Sequence, residues 1–523
     1  MVFPSYNPVK GDGWSGNTGY FSSGPSDSPF VRDGIVHAMT PDWNTMAAVT
    51  NGSDFMKELH GRYLPQEPRE DDEAYRARIG RSVLSPFTLR LIENAAGMVL
   101  RRPITVDGDL YWKEFSKNVD GLGSSINEYA RRALVSSLTY GHSAILIDFP
   151  NDPGILTLRD EIERNRRPYF IQIDAPQIWG WRQESTNPSS KLTQIRLHEW
   201  VCVPEGDFGE KREEQIRVIR PGTFETWNTE GLISTGAFSL DEIPFVPIYS
   251  NRMGMLSSKP PLLDIASLNI THYQRQADLI NALHIAAMPI LVLEGWDDQP
   301  EGTSVGVNYG LSTVPGNKVY YVGADSSSFQ AQQDEIQQLE AQMSSLGVTK
   351  LLGQKFVAES ADAKRIDQAQ ANSVLSIISM ELESALQQAY NFAGLYLGKK
   401  PPKINLDRDF DFYRLLGQDV AVIGDLNERG AITDKTFLEI LKSGEILPDT
   451  VDLNRELAET KRLKEQKRNE LLDPITVRGS VGTGPASEAR ARNASQASSG
   501  SSGQGSRSQA QRQAETRRRT SSN

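Results

Sequence analysis

The residues of this chain that could carry out chemistry are few, and their spacing suits no known reaction. The segment His198-Glu199-Trp200-Val201-Cys202 comes closest to a zinc-protease motif. That motif needs a second histidine where Cys202 stands, and it needs a helix, whereas the apolar pattern here predicts a strand. The six histidines are scattered without metal-ligand spacing. We therefore expect no metal site, and we expect Cys202 to be a buried strand residue.

A second candidate for catalysis is Gly141-His142-Ser143, whose composition is that of a hydrolase nucleophile elbow. Ile145 stands where the elbow needs a glycine, and the preceding pattern predicts a helix where the elbow needs a strand. The segment is better interpreted as a turn between a helix and a strand.

The alternating carboxylates Asp407, Asp409 and Asp411 could bind a hard cation. An EF-hand would need glycine at its sixth position and glutamate at its twelfth, where Phe412 and Gln418 stand. We interpret the three as an edge strand with its carboxylates facing outward. The sequence also contains no Gly-x-x-x-x-Gly-Lys-Ser/Thr loop, so we expect no ATP site of the usual kind, no cofactor and no catalytic activity.

Composition narrows the class of protein further. The chain has 523 residues with a net charge of −11, and the eight arginines after residue 473 make the rest more acidic still. One cysteine excludes an intrachain disulfide and suits a reducing cytoplasm. No apolar run approaches the roughly 20 residues of a membrane span, and no basic segment leads into an apolar one at the start. We expect neither a membrane protein nor one secreted by that route.

The pattern of the chain predicts one unusually long helix. It runs from Ala361 to about Leu397, roughly 55 Å at 1.5 Å per residue, with Ser360 as its cap. A preceding helix ends at Leu346-Gly347, with Gly347 as a left-handed stop. The apolar face of the long helix comprises Val374, Ile378, Leu382, Ala385, Ala389, Phe392 and Tyr396, widened by Leu375, Leu386 and Ala393. Such a face favours core packing; contact of part of it with another copy is the alternative.

Other elements follow from periodicity and turn residues. Two helical patterns lie between Trp43 and Arg102. The acidic run Glu67 to Glu73 separates them, and we interpret it as solvated surface. Further helices are predicted at Ile126 to Leu138, Leu262 to Ala287, Thr433 to Ser443 and Leu453 to Leu472. Strands are predicted at Ala144 to Phe149, Tyr169 to Ile173, Leu192 to Val203, Gln215 to Arg220, Phe224 to Trp227, Ile290 to Leu293 and Lys318 to Val322.

This order of elements resembles the portal protein, or head-to-tail connector, of tailed bacteriophages. Loose motifs resemble one podovirus-type portal family: Glu67-Pro68 followed by Tyr75-Arg76-x-Arg78, then Gly97-x-Val99-x-Arg101-Arg102-Pro103. None of these motifs is catalytic. The resemblance covers roughly Trp43 to Pro474.

The resemblance implies an α+β protomer with a mixed α/β wing, a two-helix stem, a small β-containing clip, a long wing helix and a helical crown. The implied boundaries are an extended N-terminal arm (1–36), wing (37–261), first stem helix (262–287), clip (288–329), second stem helix (330–346), channel loop (347–360), long wing helix (361–400), crown (401–473) and a disordered Ser/Gln/Arg-rich tail (474–523).

The resemblance also implies a function. Twelve copies would form a ring at one capsid vertex of the virion, assembled in the host bacterial cytoplasm, and double-stranded DNA would pass through its channel during packaging and ejection. Implied partners are the terminase large subunit, the major capsid protein and a tail adaptor or head-completion protein. Candidate channel-facing residues are Lys350, Gln354, Lys355 and Arg275, and candidate clip residues for docking are Trp296, Asp297, Asp298, Tyr309 and Lys318.

Two other functions remain open at the level of sequence. One is a different phage head–tail ring, such as an adaptor. The other is a carbohydrate-active hydrolase, suggested by eight tryptophans and many carboxylates. A hydrolase would need two carboxyl groups in one cleft, one of them with a raised pKa.

Overall fold

The computed structural model describes residues 28–150, 166–184, 191–287, 290–294, 318–322, 326–347, 361–407, 417–443, 446–448 and 451–472. The chain divides into two compact units, one up to Phe412 and one from Tyr413 onward. Helices and antiparallel strands both build the first unit, so the predicted α+β class is confirmed.

The first unit begins with helices that cover one side of its core. They are α1 (Gly34–Thr50), α2 (Ser53–Glu58), α3 (His60–Tyr63), α4 (Asp72–Arg81), α5 (Phe87–Val99), α6 (Leu110–Phe115) and α7 (Ile126–Tyr140). Local chemistry fixes their starts: the Asp71 side chain caps α4, and Ser125 and Glu128 form a reciprocal capping box on α7. Helix α1 begins at Gly34, slightly before the end of the predicted arm.

Antiparallel strands form the rest of the body. They are β1 (Thr105–Asp107), β2 (His142–Asp148), β3 (Tyr169–Asp174), β4 (Ile178–Gln183), β5 (Leu192–Glu205), β6 (Gly209–Arg220), β7 (Thr223–Asn228), β8 (Gly231–Ala237), β9 (Phe245–Tyr249), β10 (Arg252–Gly254) and β11 (Ser257–Ser258). One sheet has the order β3-β2-β9 and another the order β4-β5-β6-β7-β8.

Strand β2 joins two hydrophobic clusters. Because side chains alternate across a strand, Ile145 and Ile147 point to one face and Ala144 and Leu146 to the other. The first pair lies in the main core with the helices, and the second pair lies in the cluster under the five-stranded sheet. All four are essentially buried, so β2 is covered on both faces.

Two long helices, a hairpin and a still longer helix follow the sheets. They are α8 (Leu263–Ala286), β12 (Ile290–Glu294) paired antiparallel with β13 (Lys318–Val322), α9 (Ser326–Gly347) and α10 (Ala361–Leu397). The core interpretation of the α10 face is confirmed for most of the stripe, with Tyr390 added to it. Val374 at 37% exposed lies outside the core.

The second unit contains α11 (Gly417–Glu428), α12 (Asp434–Ser443) and α13 (Leu453–Leu472). Lys464 Nζ on α13 lies 2.6 Å from Asp434 Oδ1 at the start of α12. Most described side chains of α13 are exposed, as its charge pattern predicts. The predicted crown starts at 401, but β14 (Lys403–Asn405) pairs with β1 and so belongs to the first unit.

Three sequence interpretations were wrong. Cys202 is exposed, because β4 pairs with β5 only as far as Leu197 and β7 pairs with β6 only from Ile216. Beyond those points β5 and β6 form a two-stranded hairpin, and within the described residues no further strand pairs with it to bury the thiol. Asp407 does not lie on a strand; it follows β14, and its Oδ2 lies 2.5 Å from Arg102 Nη1.

Gly347 is the third correction. It is the last residue of helix α9 and does not adopt a left-handed conformation. The structure gives another reason for glycine there, since a Cβ would lie 2.3 Å from Leu91 Cδ1 on α5. The glycine permits close packing of two helices.

The α7–β2 turn offers a stability test. Gly141 has φ of 91°, and a Cβ there would lie 2.5 Å from Ser258 Oγ and 2.9 Å from the Lys259 carbonyl carbon. We expect Gly141→Ala to lower the free energy of unfolding by about 2–4 kcal/mol, from left-handed strain plus overpacking. Gly80→Ala, on a helix with open space around it, is the control and should be neutral or slightly stabilising. Equal effects of the two variants in urea unfolding would contradict this account.

Burial of His142 predicts a pH dependence of stability. Burial lowers the pKa of this histidine to about 4. The unfolded chain, with an ordinary histidine pKa near 6.5, binds more protons between pH 6.5 and 4, so stability falls as the pH drops through that window. We expect this side chain to remove about 2 kcal/mol of stability between pH 7 and 5.

The measurement is urea unfolding at pH 7 and pH 5. His142→Gln should lose that part of the pH dependence, whereas His284→Gln, which removes an exposed histidine, is the matched control. If the wild type and His142→Gln lose equal stability on acidification, the assignment to His142 is wrong.

Candidate functional site: the paired helices α8 and α9

Helices α8 and α9 lie side by side and run in opposite directions. His272 Nε2 lies 3.2 Å from Glu340 Oε1, and Arg275 Nε lies 3.1 Å from Glu335 Oε1. The residue numbers rise along α8 while those of their partners fall along α9, so the pair is antiparallel. The β12–β13 hairpin lies between them in the chain.

The first half of α8 is fixed to the body by buried polar side chains. Asn269 Oδ1 accepts hydrogen bonds from the backbone N–H and the hydroxyl of Thr88, at 3.2 and 3.1 Å, and Asn269 Nδ2 donates to the Ser85 carbonyl at 2.9 Å. The hydroxyls of Tyr273 and Ser82 lie 2.8 Å apart. All of these groups are directional, so they set the rotation of α8 on the body as well as its position.

A buried arginine adds a third anchor. Arg78 is 3% exposed, and its guanidinium donates two 2.8 Å hydrogen bonds to the carboxylate of Glu70 and one to the Pro65 carbonyl. Its remaining nitrogen lies 3.2 Å from Asp278 Oδ1 on α8. Hydrogen bonding from Arg78 lowers the pKa of Glu70, whereas burial raises the pKa of Asp278. Glu70 thus departs from the solvated surface expected for the acidic run.

Helix α9 presents a polar surface without positive charge. Between Ser326 and Gly347 it has six glutamines, three carboxylates and no lysine or arginine. Ile336 and Met343 face inward, and the exposed residues include Gln330, Gln333, Asp334, Glu335, Gln337, Gln338 and Gln342. Together α8 and α9 carry Arg275 against five carboxylates. The pair is acidic, and its one arginine has a carboxylate partner.

The structure describes two of the nine candidate site residues. Arg275 is half-exposed and ion-paired with Glu335, so it does not stand as an uncompensated cation on α8. Lys318 is exposed on β13, directly opposite Glu294 of β12. The other candidates lie outside the described residues: Lys350, Gln354, Lys355, Trp296, Asp297, Asp298 and Tyr309. Their roles stay predictions.

The residues that the sequence analysis considered for catalysis or metal binding instead take part in packing, ion pairs and a turn. His198 lies on strand β5, stacks on Trp179 with ring centroids 4.4 Å apart, and its Nε2 lies 2.8 Å from Glu214 Oε1. Glu199 lies 3.1 Å from Arg217, a buried ion pair. Gly141 is the predicted turn that ends α7, and His142 and Ser143 are the first two residues of β2.

Within the described residues, no group of histidine, cysteine, aspartate and glutamate side chains is arranged to hold a metal ion. Over the same part of the chain, no helix combines the length and the apolar character that crossing a bilayer requires.

Sequence reasoning missed the Arg78 anchor. Two of its partners, Pro65 and Glu70, are close in the chain, but Asp278 is 200 residues away on another helix. The only local signal was an arginine that follows an acidic run at helical spacing, and such pairs usually lie on the surface.

Comparison with known proteins gives one family match. Residues 261–397 match a family model described as a domain of unknown function, DUF4055. The matched span begins just before α8 and ends at the last residue of α10. It therefore includes the antiparallel pair, the hairpin and the long helix. No curated protein matches the chain in sequence.

Among solved structures, the chain is similar to one titled "Virion of native gene transfer agent (GTA) particle", with 15% identity over 73% of this chain and 95% of that chain and a TM-score of 0.37. It is also similar to "Neck of empty GTA particle computed with C6 symmetry" (14% identity, 73% and 95% coverage, TM-score 0.37). A third is "Neck of native GTA particle computed with C12 symmetry" (11% identity, 72% and 93% coverage, TM-score 0.36). Superpositions this loose carry no argument about what the chain does.

Proposed function

We propose that this chain is the protomer of a phage portal: a ring of identical subunits at one capsid vertex that passes double-stranded DNA. The observation that carries the proposal is the antiparallel pair α8–α9, anchored on the body through α8 and bearing one compensated arginine against five carboxylates. Arranged around an axis, such pairs make an acidic, glutamine-rich bore.

The charge of this surface suits transport of DNA and not its retention. A protein that holds DNA neutralises phosphates with lysine and arginine, and each neutralised phosphate tightens binding. A conduit for a whole genome needs weak contact that does not depend on sequence. Glutamine side chains and carboxylates provide that, because they offer hydrogen-bonding groups without a net attraction for phosphate.

Exposed apolar residues support assembly into a ring. Near the end of α8, Leu283 is 46% exposed and Ile285 is 61% exposed, and on α10 Ile377 and Met380 are 54% and 42% exposed. Ile377 and Met380 are three positions apart and share one face of α10, and exposed apolar side chains grouped on one face often mark a protein–protein interface. Neighbouring copies would bury these side chains once the pairs line a common axis.

We assign the roles of the hairpin and the body from their positions in the order of elements along the chain. The β12–β13 hairpin between the stem helices is the clip, which docks the terminase large subunit during packaging and a tail adaptor afterwards. The major capsid protein surrounds the wing. The sequence contains no P-loop, so the energy for DNA movement comes from the terminase.

A hydrolase is not favoured by any observation. Of the carboxyl groups that the structure describes, Asp278 has a raised pKa, chiefly because it is buried, and it is ion-paired with the guanidinium of Arg78. A general acid for glycoside hydrolysis would instead be free to protonate the leaving group opposite a second carboxyl group.

The first test is the size and shape of the purified protein. We expect light scattering after size-exclusion chromatography to give the mass of about twelve 58.1 kDa chains. Electron microscopy should show a ring with an open centre wide enough for duplex DNA. A stable monomer at micromolar concentration in physiological salt, or a particle with a closed centre, would overturn the proposal.

The Arg275–Glu335 pair provides a test of the channel surface. Both side chains are about half exposed, so Glu335→Gln leaves Arg275 without its carboxylate at a solvent-accessible position. The ring should then bind duplex DNA more tightly, with a steeper loss of affinity as salt rises. Arg275→Ala alone should not increase affinity, and the double variant should return toward wild type.

The readout is binding of a duplex oligonucleotide to the assembled ring over a salt series. Glu465→Gln, at an exposed position of α13, removes the same charge from a helix other than α8 and α9 and is the matched control. If it tightens DNA binding as much as Glu335→Gln does, the effect reflects net charge and the pair does not lie along the path of the DNA.

A further inference from the structure

The hairpin of β5 and β6 carries a fully exposed phenylalanine in its turn. Phe208 lies between the last paired residues of the two strands, Glu205 and Gly209, and its side chain is completely accessible. Every residue from Cys202 to Arg212 is exposed, so no part of the described chain packs on this end of the hairpin. Turns of this kind ordinarily carry small or polar residues, and an aromatic ring left in water forgoes the free energy of burial. The ring is available to another surface.

Two glycines hold this turn in one shape. Gly206 has φ of 72°, in the left-handed region that favours glycine. A Cβ on Gly209 would lie 2.5 Å from the carbonyl oxygen of Glu205, so the chain crosses itself closely there. The turn therefore presents Phe208 in a fixed orientation, and burying the ring costs little further ordering of the backbone.

The end of the hairpin, Glu205–Glu210, is also acidic; we call it the tip. Glu205, Asp207 and Glu210 surround Phe208, and the tip contains no lysine or arginine. Within the described part of the chain, neither Asp207 nor Glu210 has an ion-pair partner, since the adjacent Lys211 pairs with Glu213. A complementary surface would be apolar at its centre and would carry a positive charge at its edge.

The body has a groove with that character between helix α7 and strand β3, bordered by α5. We call it the α7 groove; its volume is about 570 Å³. Leu89, Leu122 and Val135 contribute apolar side chains to its lining, and Leu122 is 60% exposed. Arg131 and Arg132 line it as well, and both are exposed.

The charges of the α7 groove leave one arginine available. Arg132 Nη2 lies 2.8 Å from Asp120 Oδ2, whereas Arg131 has no partner within the described residues. The carboxylate of Asp174 already accepts hydrogen bonds from the wall of the groove. Glu93, on α5, is an exposed carboxylate in the lining. Arg131 can therefore receive a carboxylate from outside.

A second groove of the body does not suit the tip. It lies between α10 and the start of β5, with a volume of about 500 Å³. Its charged lining consists of Glu184, Asp241, Glu242, Glu381, Lys191 and Arg252. Lys191 is already paired with Glu242, so carboxylates predominate. An acidic tip would meet mainly like charge there.

A chain cannot place its tip in its own α7 groove. Gln177 lines that groove and directly precedes Ile178, which pairs with Leu197. From Leu197, β5 continues for eight residues to Glu205, roughly 26 Å at 3.3 Å per residue. These residues are paired with β6 up to Gly209, and a paired hairpin is too stiff to turn back over that distance. The tip therefore reaches another molecule.

We propose that the tip of one copy docks in the α7 groove of the neighbouring copy, which rests on the ring proposed above. The ring of Phe208 packs on the apolar lining around Leu122, and Asp207 pairs with Arg131. Tip and groove are different surfaces of one chain, so the contact is head-to-tail and repeats from copy to copy around a ring.

Cross-linking of the full-length protein tests this contact. In a Cys202→Ser background, chains with Asp207→Cys and separate chains with Leu122→Cys are co-assembled and treated with a short bismaleimide. The expected product is a covalent dimer of the two variants. The matched control replaces Leu122→Cys by Asp241→Cys, at the exposed edge of the second groove, and should give no dimer.

The outcomes separate this contact from the proposed function. A wild type that forms no ring by mass overturns both. A ring in which the two variants give no dimer overturns the contact and leaves the ring standing. So does cross-linking confined to single chains that carry both cysteines, or a dimer that forms only with Asp241→Cys.

Charge reversal tests the Asp207–Arg131 pair independently. Asp207→Arg and Arg131→Asp each place like charges together, so each should raise the concentration at which half of the rings dissociate, on the order of tenfold. The double variant restores opposite charges and should return toward the wild type. Asp241→Arg, an exposed reversal outside the contact, is the control and should have no effect. Light scattering over a dilution series gives the readout. Single variants that dissociate like the wild type, or a double variant without rescue, would contradict the pairing.

Discussion

The attachment of α8 to the body is the constraint on which the rest of the proposed channel depends. Asn269 and Tyr273 on α8 are buried and hydrogen-bonded to Thr88, Ser85 and Ser82 of the body, and the buried Arg78 of α4 is ion-paired with Asp278 on α8. Burying such groups without partners would cost several kcal/mol, so they tolerate one arrangement only. An apolar contact alone would allow α8 to slide or rotate. These polar contacts instead fix which side of α8 meets α9, and hence which side of α9 remains exposed.

The division between fixed and exposed parts follows the chain. Helix α8 is held against the body as far as Asn281, whereas Leu283 and Ile285 near its end are 46% and 61% exposed. The same holds for α10, where Leu382 and Leu386 are buried while Ile377 and Met380 are exposed. A single chain thus completes its core near the body and leaves apolar side chains exposed near the end of α8 and around Ile377 of α10, which suits a subunit that finishes folding in contact with others.

Much of the fold could be predicted from the sequence because helix periodicity, capping residues and glycines at turns and helix ends are local signals. The helix at Ile126 to Leu138, the Gly141 turn and the bounds of α8 and α10 follow from residues within a few positions of each boundary. Interactions between distant segments were not accessible. No residue close to Arg78 in the sequence indicates its ion pair with Asp278. Likewise, no residue close to Cys202 indicates that β5 extends beyond its pairing with β4. The short strands β1 and β14 were missed because each forms only by pairing across some 300 residues.

The exposed hairpin of β5 and β6 also gives the protein a practical property. Its single thiol, Cys202, is exposed and belongs to none of the hydrophobic clusters of the described residues. Each chain therefore offers one reactive handle whose modification leaves the interior undisturbed. Counting fluorophores attached there in a purified particle would report directly how many subunits it contains, with no need for imposed symmetry.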